Sequence, residues 1–317
     1  VQEWVQDVFK KIEGHKIPLA YVTASFASPL MQMFGIEKSA IVETSAPTSQ
    51  GKSIIQKAAA SVWGNPSTLI NKWDTTKIFI ERRAALTNNL PYFLDDTKSL
   101  YNKRDLDVTI YQITDGAERG RAEYSGTRKI RKWNNLILST GERKLTEYTK
   151  SEGISARVFA MYGSPFGGEA YDLVTSLETA LDEQYGTAGE YFMQWLLSLP
   201  QDKIQAFKEM YKSCKLDYAK KTKNPIVKRL SAYIGLFKIT AMMMNQCFGE
   251  LGMSIDDKLL DEVWSDLQDD NIEIDTPLKV LEEVFDFANS NKPRFNYKKN
   301  GFALYNCLGD WLSLIHI

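Results

Sequence analysis

The chain has 317 residues, of which 44% are hydrophobic and 25% are charged, and its formal net charge is −1. This composition is typical of a globular protein long enough for two domains, and two histidines with three distant cysteines exclude histidine-based triads, multi-histidine metal sites and a disulfide framework. No apolar run reaches the ~18 residues of a membrane-spanning helix and no signal region opens the chain, so we predict a cytoplasmic protein without membrane contact.

Apolar segments alternate with helical patterns through the first half of the chain. The predicted helices lie within 1–34, where Pro29 is expected to interrupt the second one, and at 54–63, 76–88 and 101–115. The predicted strands lie at 40–44, 68–70, 92–94, 136–140 and 157–161, and residues 121–133 alternate like a β-hairpin around Ser125 and Gly126. Strands and helices that alternate at these lengths predict a three-layer α/β fold with a mostly parallel sheet.

The pattern changes near residue 166. Gly163, Pro165, Gly167 and Gly168 follow the last predicted strand, and long amphipathic helices without strand signals occupy the remainder. We therefore predict two domains, with a boundary between residues 165 and 166 and an all-helical second domain over 166–317. Because the chain lacks an initiator Met and ends without a closing element, we also expect it to be a fragment of a longer protein.

A phosphate-binding loop is predicted between the first strand and the helix that follows it. Such a loop points backbone N–H groups at phosphate oxygens, and its lysine and hydroxyl contact the β and γ phosphates and Mg²⁺. Lys52 and Ser53 meet these two demands. The residues predicted to bind the nucleotide here are Ala46, Pro47, Thr48, Ser49, Gln50, Gly51, Lys52 and Ser53. Ala46 replaces the usual first glycine and is tolerated only with a negative φ, and the alternative is an ordinary turn before a helix.

Two carboxylates follow the apolar strand at 92–94. Phosphoryl transfer with Mg²⁺ needs an acidic residue for the metal and a second one to orient or deprotonate the attacking water. We assign Asp95 to the metal, together with Ser53, and Asp96 to the water. The usual second residue is glutamate, so Asp96 is one methylene shorter. The alternative for this pair is a solvated turn at the end of the strand.

The next apolar strand ends in Ser139, Thr140, Gly141 and Glu142. In ATPases of this design, a polar residue at this place senses the γ-phosphate, and Ser139, Thr140 or Glu142 could do so. The alternative is that these residues cap a following helix. A ring ATPase also needs an arginine from the neighbouring subunit, for which Arg119, Arg121, Arg143 and Arg157 are candidates that the residues alone do not rank.

The order of these features resembles a phage and mobile-element ATPase family that was long catalogued as a bacterial domain of unknown function. The resemblance covers about residues 4–161. Besides the nucleotide motifs, it depends on residues 58–66 with their Trp-Gly-Asn-Pro ending, on 73–76, on 110–121 and on 138–142. Better understood members look like self-loading replicative helicases of the AAA+ class, related in design to superfamily III and MCM helicases.

The resemblance implies a P-loop core of the AAA+ (ASCE) type with a β-hairpin insertion, forming a hexameric ring that moves on DNA with ATP and Mg²⁺. It makes Arg121 the leading arginine in trans. The hairpin tip would reach the central channel, where Arg128 and Lys129 would contact the phosphates of single-stranded or forked DNA. The alternative for these two residues is a charged, solvated hairpin.

Two functions from different classes remain open at this point. The first is an ATP-driven DNA helicase or translocase of a phage or mobile element, which the charge of the hairpin favours. The second is a nucleotide-switched oligomeric regulator with slow or no hydrolysis, which the departures at Ala46 and Asp96 favour. Stimulation of the ATPase by single-stranded DNA distinguishes the two.

Overall fold

The computed structural model describes most of the chain. The described residues are 1–97, 103–118, 122–123, 126–127, 130–148, 152–167, 170–272, 281, 284–285, 287–288, 290–291, 295–296 and 309–310. The chain divides into two compact units, Val1–Asp269 and Asp270–Ile317. The division predicted between residues 165 and 166 lies inside the first unit.

Short helices open the chain. A π-helical segment, Trp4–Val8, and a 3-10 turn, Phe9–Lys11, precede helix α1, Lys16–Ala27. Helix α1 is buried on all sides from Ile17 onward, which identifies it as a core helix. Its end at Ala27 passes into a 3-10 turn that contains Pro29, because proline removes a helical hydrogen bond and clashes with the preceding turn.

Five strands form one sheet in which every neighbouring pair is parallel. They are β1 (Ala40–Ser45), β2 (Ile70–Lys72), β3 (Tyr92–Asp95), β6 (Leu136–Gly141) and β7 (Val158–Tyr162). The order across the sheet is β2-β3-β6-β1-β7, and β4 and β5 belong to the hairpin described below. The prediction of an α/β fold built on a parallel sheet is confirmed.

Helices connect the strands and cover the sheet. They are α2 (Lys52–Ser61), α3 (Pro66–Leu69), α4 (Lys77–Leu86), α5 (Lys103–Asp115) and α6 (Glu152–Ser155). Successive residues of strand β1 enter opposite hydrophobic clusters: Val42 packs with α1 and α2, whereas Ile41 packs with residues of α4 and α5. Because strand side chains alternate between the two faces, this split means that both faces of the sheet are covered.

One predicted strand was partly wrong. Of the residues predicted as a strand at 68–70, Thr68 and Leu69 form the end of helix α3 instead, and β2 begins at Ile70. The reason is local, since Asn65 caps the helix by accepting the Ser67 N–H at 2.9 Å and Pro66 occupies the first helical position.

The region predicted as a hairpin pairs in an antiparallel manner. Strand β4 (Ala122–Glu123) pairs with β5 (Gly126–Thr127), and Ala117 pairs with Lys132 further from the turn. Residues Ser125, Arg128 and Lys129 lie outside the described residues, as do Arg119 and Arg121. A hairpin that reaches a central channel therefore stays a prediction.

Five helices complete the first unit. They are α7 (Tyr171–Glu183), α8 (Thr187–Ser198), α9 (Gln201–Lys220), α10 (Pro225–Phe248) and α11 (Lys258–Ile272), the last of which crosses into the second unit. Helix α10 packs onto β7, where the rings of Phe237 and Phe159 meet edge to face at 5.4 Å. No helix in the described part of the chain is both long and apolar enough to cross a membrane.

The second unit contains a short parallel pair, β8 (Phe295–Asn296) and β9 (Gly309–Asp310). The prediction that the region after residue 168 contains helices and no strands was wrong here. Two-residue strands carry too little alternation to be detected by a periodic pattern.

Candidate functional site

A cavity of about 760 Å³ opens at the carboxyl edge of the sheet, where β1, β3 and β6 end. The register aligns Ser45 with Gly141 and Leu94 with Ser139, which brings the three segments that follow these strands together. The cavity is lined by residues 48–54, Asp95, Asp96, residues 140–142, Ser164, Gly167, Ala170, Tyr171, Val174 and Glu178. Open parallel sheets bind ligands at this edge, outside the carboxyl ends of their strands.

The loop between β1 and α2 adopts positive φ at Ser49 (64°) and Gly51 (87°). Ala46 does not have a positive φ; it is buried, and its N–H donates to the Gly141 carbonyl at 3.2 Å. Its Cβ is therefore compatible with the first position of the loop. Two observations require glycine at residue 51: its φ is positive, and a Cβ added there would lie 2.9 Å from the ring of Phe166.

Lys52 lies across the loop and faces the carboxylates. Its Nζ donates to the carbonyl of Ala46 at 2.6 Å and to that of Pro47 at 2.8 Å. Burial lowers the pKa of Lys52, while the negative charges of Glu142, Asp95 and Asp96 act in the opposite direction. The lysine begins α2, a ten-residue helix whose first turn lines the cavity and favours anions through its N–H groups.

The two carboxylates meet one hydroxyl. Thr140 Oγ1 donates a very short hydrogen bond to Asp95 Oδ1 and accepts the Asp96 N–H at 3.2 Å. Asp96 itself has a φ of 61°, a conformation that aspartate tolerates better than most residues. Thr140 thus connects the ends of β3 and β6 and holds the side chain of Asp95 and the backbone of Asp96.

The predicted sensor residues divide between two locations. Thr140 and Glu142 line the cavity, and Glu142 Oε1 accepts the hydroxyl of Thr48 at 2.9 Å. The Ser139 side chain is buried on the other face of the sheet, where its Oγ accepts the Trp73 Nε1–H at 2.9 Å. Its backbone carbonyl accepts the hydroxyl of Tyr21 from α1. Ser139 therefore supports the site from behind and does not line it.

The alternative that residues 139–142 cap a helix is not observed. The next helical segment is a 3-10 turn, Leu145–Glu147, whose cap position is Lys144 and lacks a side-chain capping bond. The Leu145 N–H donates instead to Glu43 Oε2, at 2.7 Å.

Two of the candidate arginines are described. Arg157 is held within its own chain: its Nη1 donates to the Gly153 carbonyl at 2.6 Å and its guanidinium lies 4.7 Å from the ring centre of Tyr111. Arg143 is exposed and follows Glu142 directly. Arg119 and Arg121 lie outside the described residues, so the choice of Arg121 stays a prediction.

Sequence reasoning missed two contributions to the site. One is the start of α7, where Ala170, Tyr171 and Val174 form an apolar wall opposite the loop. Its distance along the chain from the nucleotide motifs left no local signal. The other is Glu43, which is fully buried in β1 directly before the loop. A lone acidic residue inside an otherwise buried strand was a signal that could have found it.

The donors at this edge fit a nucleotide with Mg²⁺. Among the described residues, no group of three or more histidine, cysteine, aspartate or glutamate side chains is arranged to hold a metal. Mg²⁺ is ordinarily bound by one or two carboxylates together with substrate phosphates and water, rather than by a cage of protein ligands. Ser53 on the first turn of α2 and Asp95 at the end of β3 supply that smaller set.

Comparisons with known proteins give a family match over part of the chain and a structural match. The model of the family named "Domain of unknown function (DUF927)" matches residues 1–133. The chain is also similar to a solved structure described as "SCCmec type IV Cch - active helicase", with 18% identity and a TM-score of 0.72. The match covers 97% of this chain and 58% of the other, so this chain spans little more than half of that protein's length. No curated protein matches the chain. The chain thus has an α/β fold similar to that of a helicase.

Proposed function

We propose that the protein binds and hydrolyses ATP with Mg²⁺ and couples this reaction to movement on DNA as a helicase or translocase. The observation that carries the proposal is the convergence of residues 48–53, which include Lys52, and of Asp95 and Asp96 on one cavity. Phosphoryl transfer needs this combination of anion-binding backbone, a fixed cation and paired carboxylates.

The phosphates would lie at the first turn of α2. Gly51 and Ser49 turn the backbone there, and Lys52 donates to the loop carbonyls while it interacts with the negative charges of Asp95 and Asp96. Ser53 and Asp95 would hold Mg²⁺, which supplies charge neutralisation at the β and γ phosphates when bound. Asp96, whose backbone is fixed by Thr140, would orient or deprotonate the attacking water.

The base would lie against the wall formed by α7. Tyr171 is 81% exposed at the mouth of the cavity, and Val174 lies one turn further along the helix. An aromatic face in this position offers a stacking surface to any base, whereas the polar half of the cavity accommodates phosphate.

Coupling to DNA is supported by two observations. The first is the fold similarity to a protein described as an active helicase. The second is the antiparallel pairing of β4 with β5 in a region that contains six basic residues between 119 and 132. In the proposal, single-stranded or forked DNA contacts Arg128 and Lys129 within a hexameric ring, and Arg121 completes the site of the neighbouring subunit.

A nucleotide-switched regulator is the second candidate. The observation that favours it is Asp96, which carries a shorter side chain than the usual glutamate and takes a positive φ. Such a site would bind ATP and change its assembly without rapid turnover.

The experiment is an ATPase assay with and without single-stranded DNA, together with titration of a fluorescent ATP analogue. A motor hydrolyses ATP and is stimulated by DNA, and Asp96→Ala abolishes turnover while binding is retained. A second variant, Lys52→Ala, removes the lysine of the loop. Its matched control is Lys203→Ala, which changes an exposed lysine at the start of α9. Absence of nucleotide binding would refute both candidates, and binding without DNA-stimulated turnover would favour the regulator.

A further inference from the structure

Two buried polar atoms lie beneath the candidate site without a hydrogen-bond partner among the described residues. They are Glu43 Oε1, on a side chain that is 0% exposed, and Thr97 Oγ1, on a residue that is 3% exposed. Buried polar groups are nearly always paired, and an unpaired one costs free energy. Their position next to the nucleotide cavity therefore calls for a functional explanation.

Both atoms approach the same glycine. A Cβ added to Gly141 would contact Thr97 Oγ1, would lie 3.0 Å from the Arg143 carbonyl oxygen and would lie 3.1 Å from Glu43 Oε1. Only the absence of a side chain at Gly141 allows this convergence. Glu43 Oε1 and Thr97 Oγ1 thus both border the space that a side chain would fill at Gly141, at the start of the turn that leads to Glu142.

The other oxygen of Glu43 holds the far end of this turn. Glu43 Oε2 accepts the Leu145 N–H at 2.7 Å, so one carboxyl reaches the start and the end of the segment 141–145. Thr97, in turn, directly follows Asp96. The Glu43 side chain therefore lies under both segments that present acidic residues to the cavity.

We propose that Glu43 is a positioning residue that carries a proton, and that its neutral carboxyl and the Thr97 hydroxyl together set the Asp96 turn for hydrolysis. An ionised carboxylate in this place would keep a full charge in the sheet with one hydrogen-bond donor. A protonated carboxyl adds an O–H donor on the side of Gly141 where Thr97 Oγ1, an acceptor without a partner among the described residues, also lies. The effect on hydrolysis rests on the proposed function, whereas the protonation of Glu43 does not.

The electrostatic surroundings support a neutral side chain. Burial raises the pKa of Glu43 to about 8, the Leu145 N–H and Lys144 lower it, and Glu147 raises it. Tyr21 from α1 and Tyr148 after the 3-10 turn also face this carboxyl. Burial is the largest of these effects.

The first test measures the proton without any nucleotide. Infrared difference spectra of the whole chain, wild type against Glu43→Gln, are recorded at about pH 6 and about pH 10, on either side of the pKa of about 8. We expect a protonated carboxyl band that Glu43→Gln removes and that the higher pH weakens. A spectrum in which Glu43 contributes only a carboxylate band at the lower pH would overturn the proposal.

The second test separates positioning from binding. Glu43→Gln keeps a neutral donor and acceptor, so its kcat should exceed that of Glu43→Ala and should no longer fall above the pKa of Glu43. Thr97→Val keeps the shape and removes the hydroxyl, so kcat falls roughly tenfold or more with nucleotide affinity unchanged, and Thr97→Ser restores it. Equal losses in Glu43→Gln and Glu43→Ala would show that the carboxylate is required and would refute the proposal. Failure of wild type to bind ATP would refute the proposed function alone, because the infrared result stands independently.

Discussion

Replacement of Glu43 by glutamine should flatten the dependence of stability on pH. The pKa of Glu43 is raised from 4.5 to about 8 because the side chain is fully buried. The folded protein therefore keeps a proton that the unfolded chain releases above pH 4.5. The contribution of this group to stability is fully present below pH 4.5 and is lost as pH rises through about 8.

The magnitude follows from the shift. Between pH 4.5 and about 8, each pH unit lowers the free energy of unfolding by roughly 1.4 kcal/mol. This single group therefore removes up to about 5 kcal/mol of stability between the two pKa values. A total stability of ~5–15 kcal/mol makes such a loss easy to detect. Glu43→Gln cannot ionise and should lack this component entirely.

Urea unfolding across the range from about pH 5 to about pH 9 measures the effect, with the free energy of unfolding plotted against pH for each variant. Glu3→Gln, which changes an exposed glutamate, is the matched control and should follow the wild-type curve. Parallel curves for wild type and Glu43→Gln would refute the reasoning, since they would mean that Glu43 has the same pKa in both states.

Three further predictions concern packing, binding and charge. Gly141→Ala forces a Cβ against the Arg143 carbonyl at 3.0 Å and should destabilise the fold by about 1–3 kcal/mol in urea unfolding, whereas Gly14→Ala, with no atom within 4 Å, should leave stability near wild type. Tyr171→Ala should weaken binding of a fluorescent ATP analogue at least about fivefold through lost stacking, and Tyr185→Ala, away from the cavity, should not. Asp261→Asn should lower the free energy of unfolding by about 1 kcal/mol at neutral pH. Burial raises the pKa of Asp261, but the hydrogen bonds from Tyr218 on α9 and Lys238 on α10 lower it overall. The difference in stability from wild type should therefore vanish as acid protonates Asp261.

Local signals explain why the strands and the loop could be predicted from sequence. Strands β1, β3 and β6 are apolar runs that end in polar residues, and the residues around Lys52 form a continuous motif. Parallel strands necessarily bring such ends to one edge, so proximity of Asp95 to the loop followed from topology. The wall contributed by Tyr171 could not be predicted, because it depends on where a helix far along the chain packs.

The misplacement of Ser139 has a different cause. Ser139 and Thr140 are both hydroxyl residues at the end of an apolar strand, and side chains alternate between faces along a strand. Thr140 shares its face with Leu138, on the side of α2, whereas Ser139 shares the other face with Ile137 and Trp73. Alternation alone says that the two point apart, but only the position of α2 decides which one reaches the cavity.

The structure also changes the weight of the two departures from the usual nucleotide motifs. Ala46 has no positive φ, is buried, and donates its N–H to Gly141, while Ser49 and Gly51 take the left-handed positions of the loop. A Cβ at residue 46 therefore adds no backbone strain, and this departure no longer argues against hydrolysis. The choice between motor and switch thus depends on whether the shorter side chain of Asp96 reaches the attacking water. The turn at Asp96 decides this, and that turn is held by Thr140 on one side and, in our proposal, by Glu43 with Thr97 on the other.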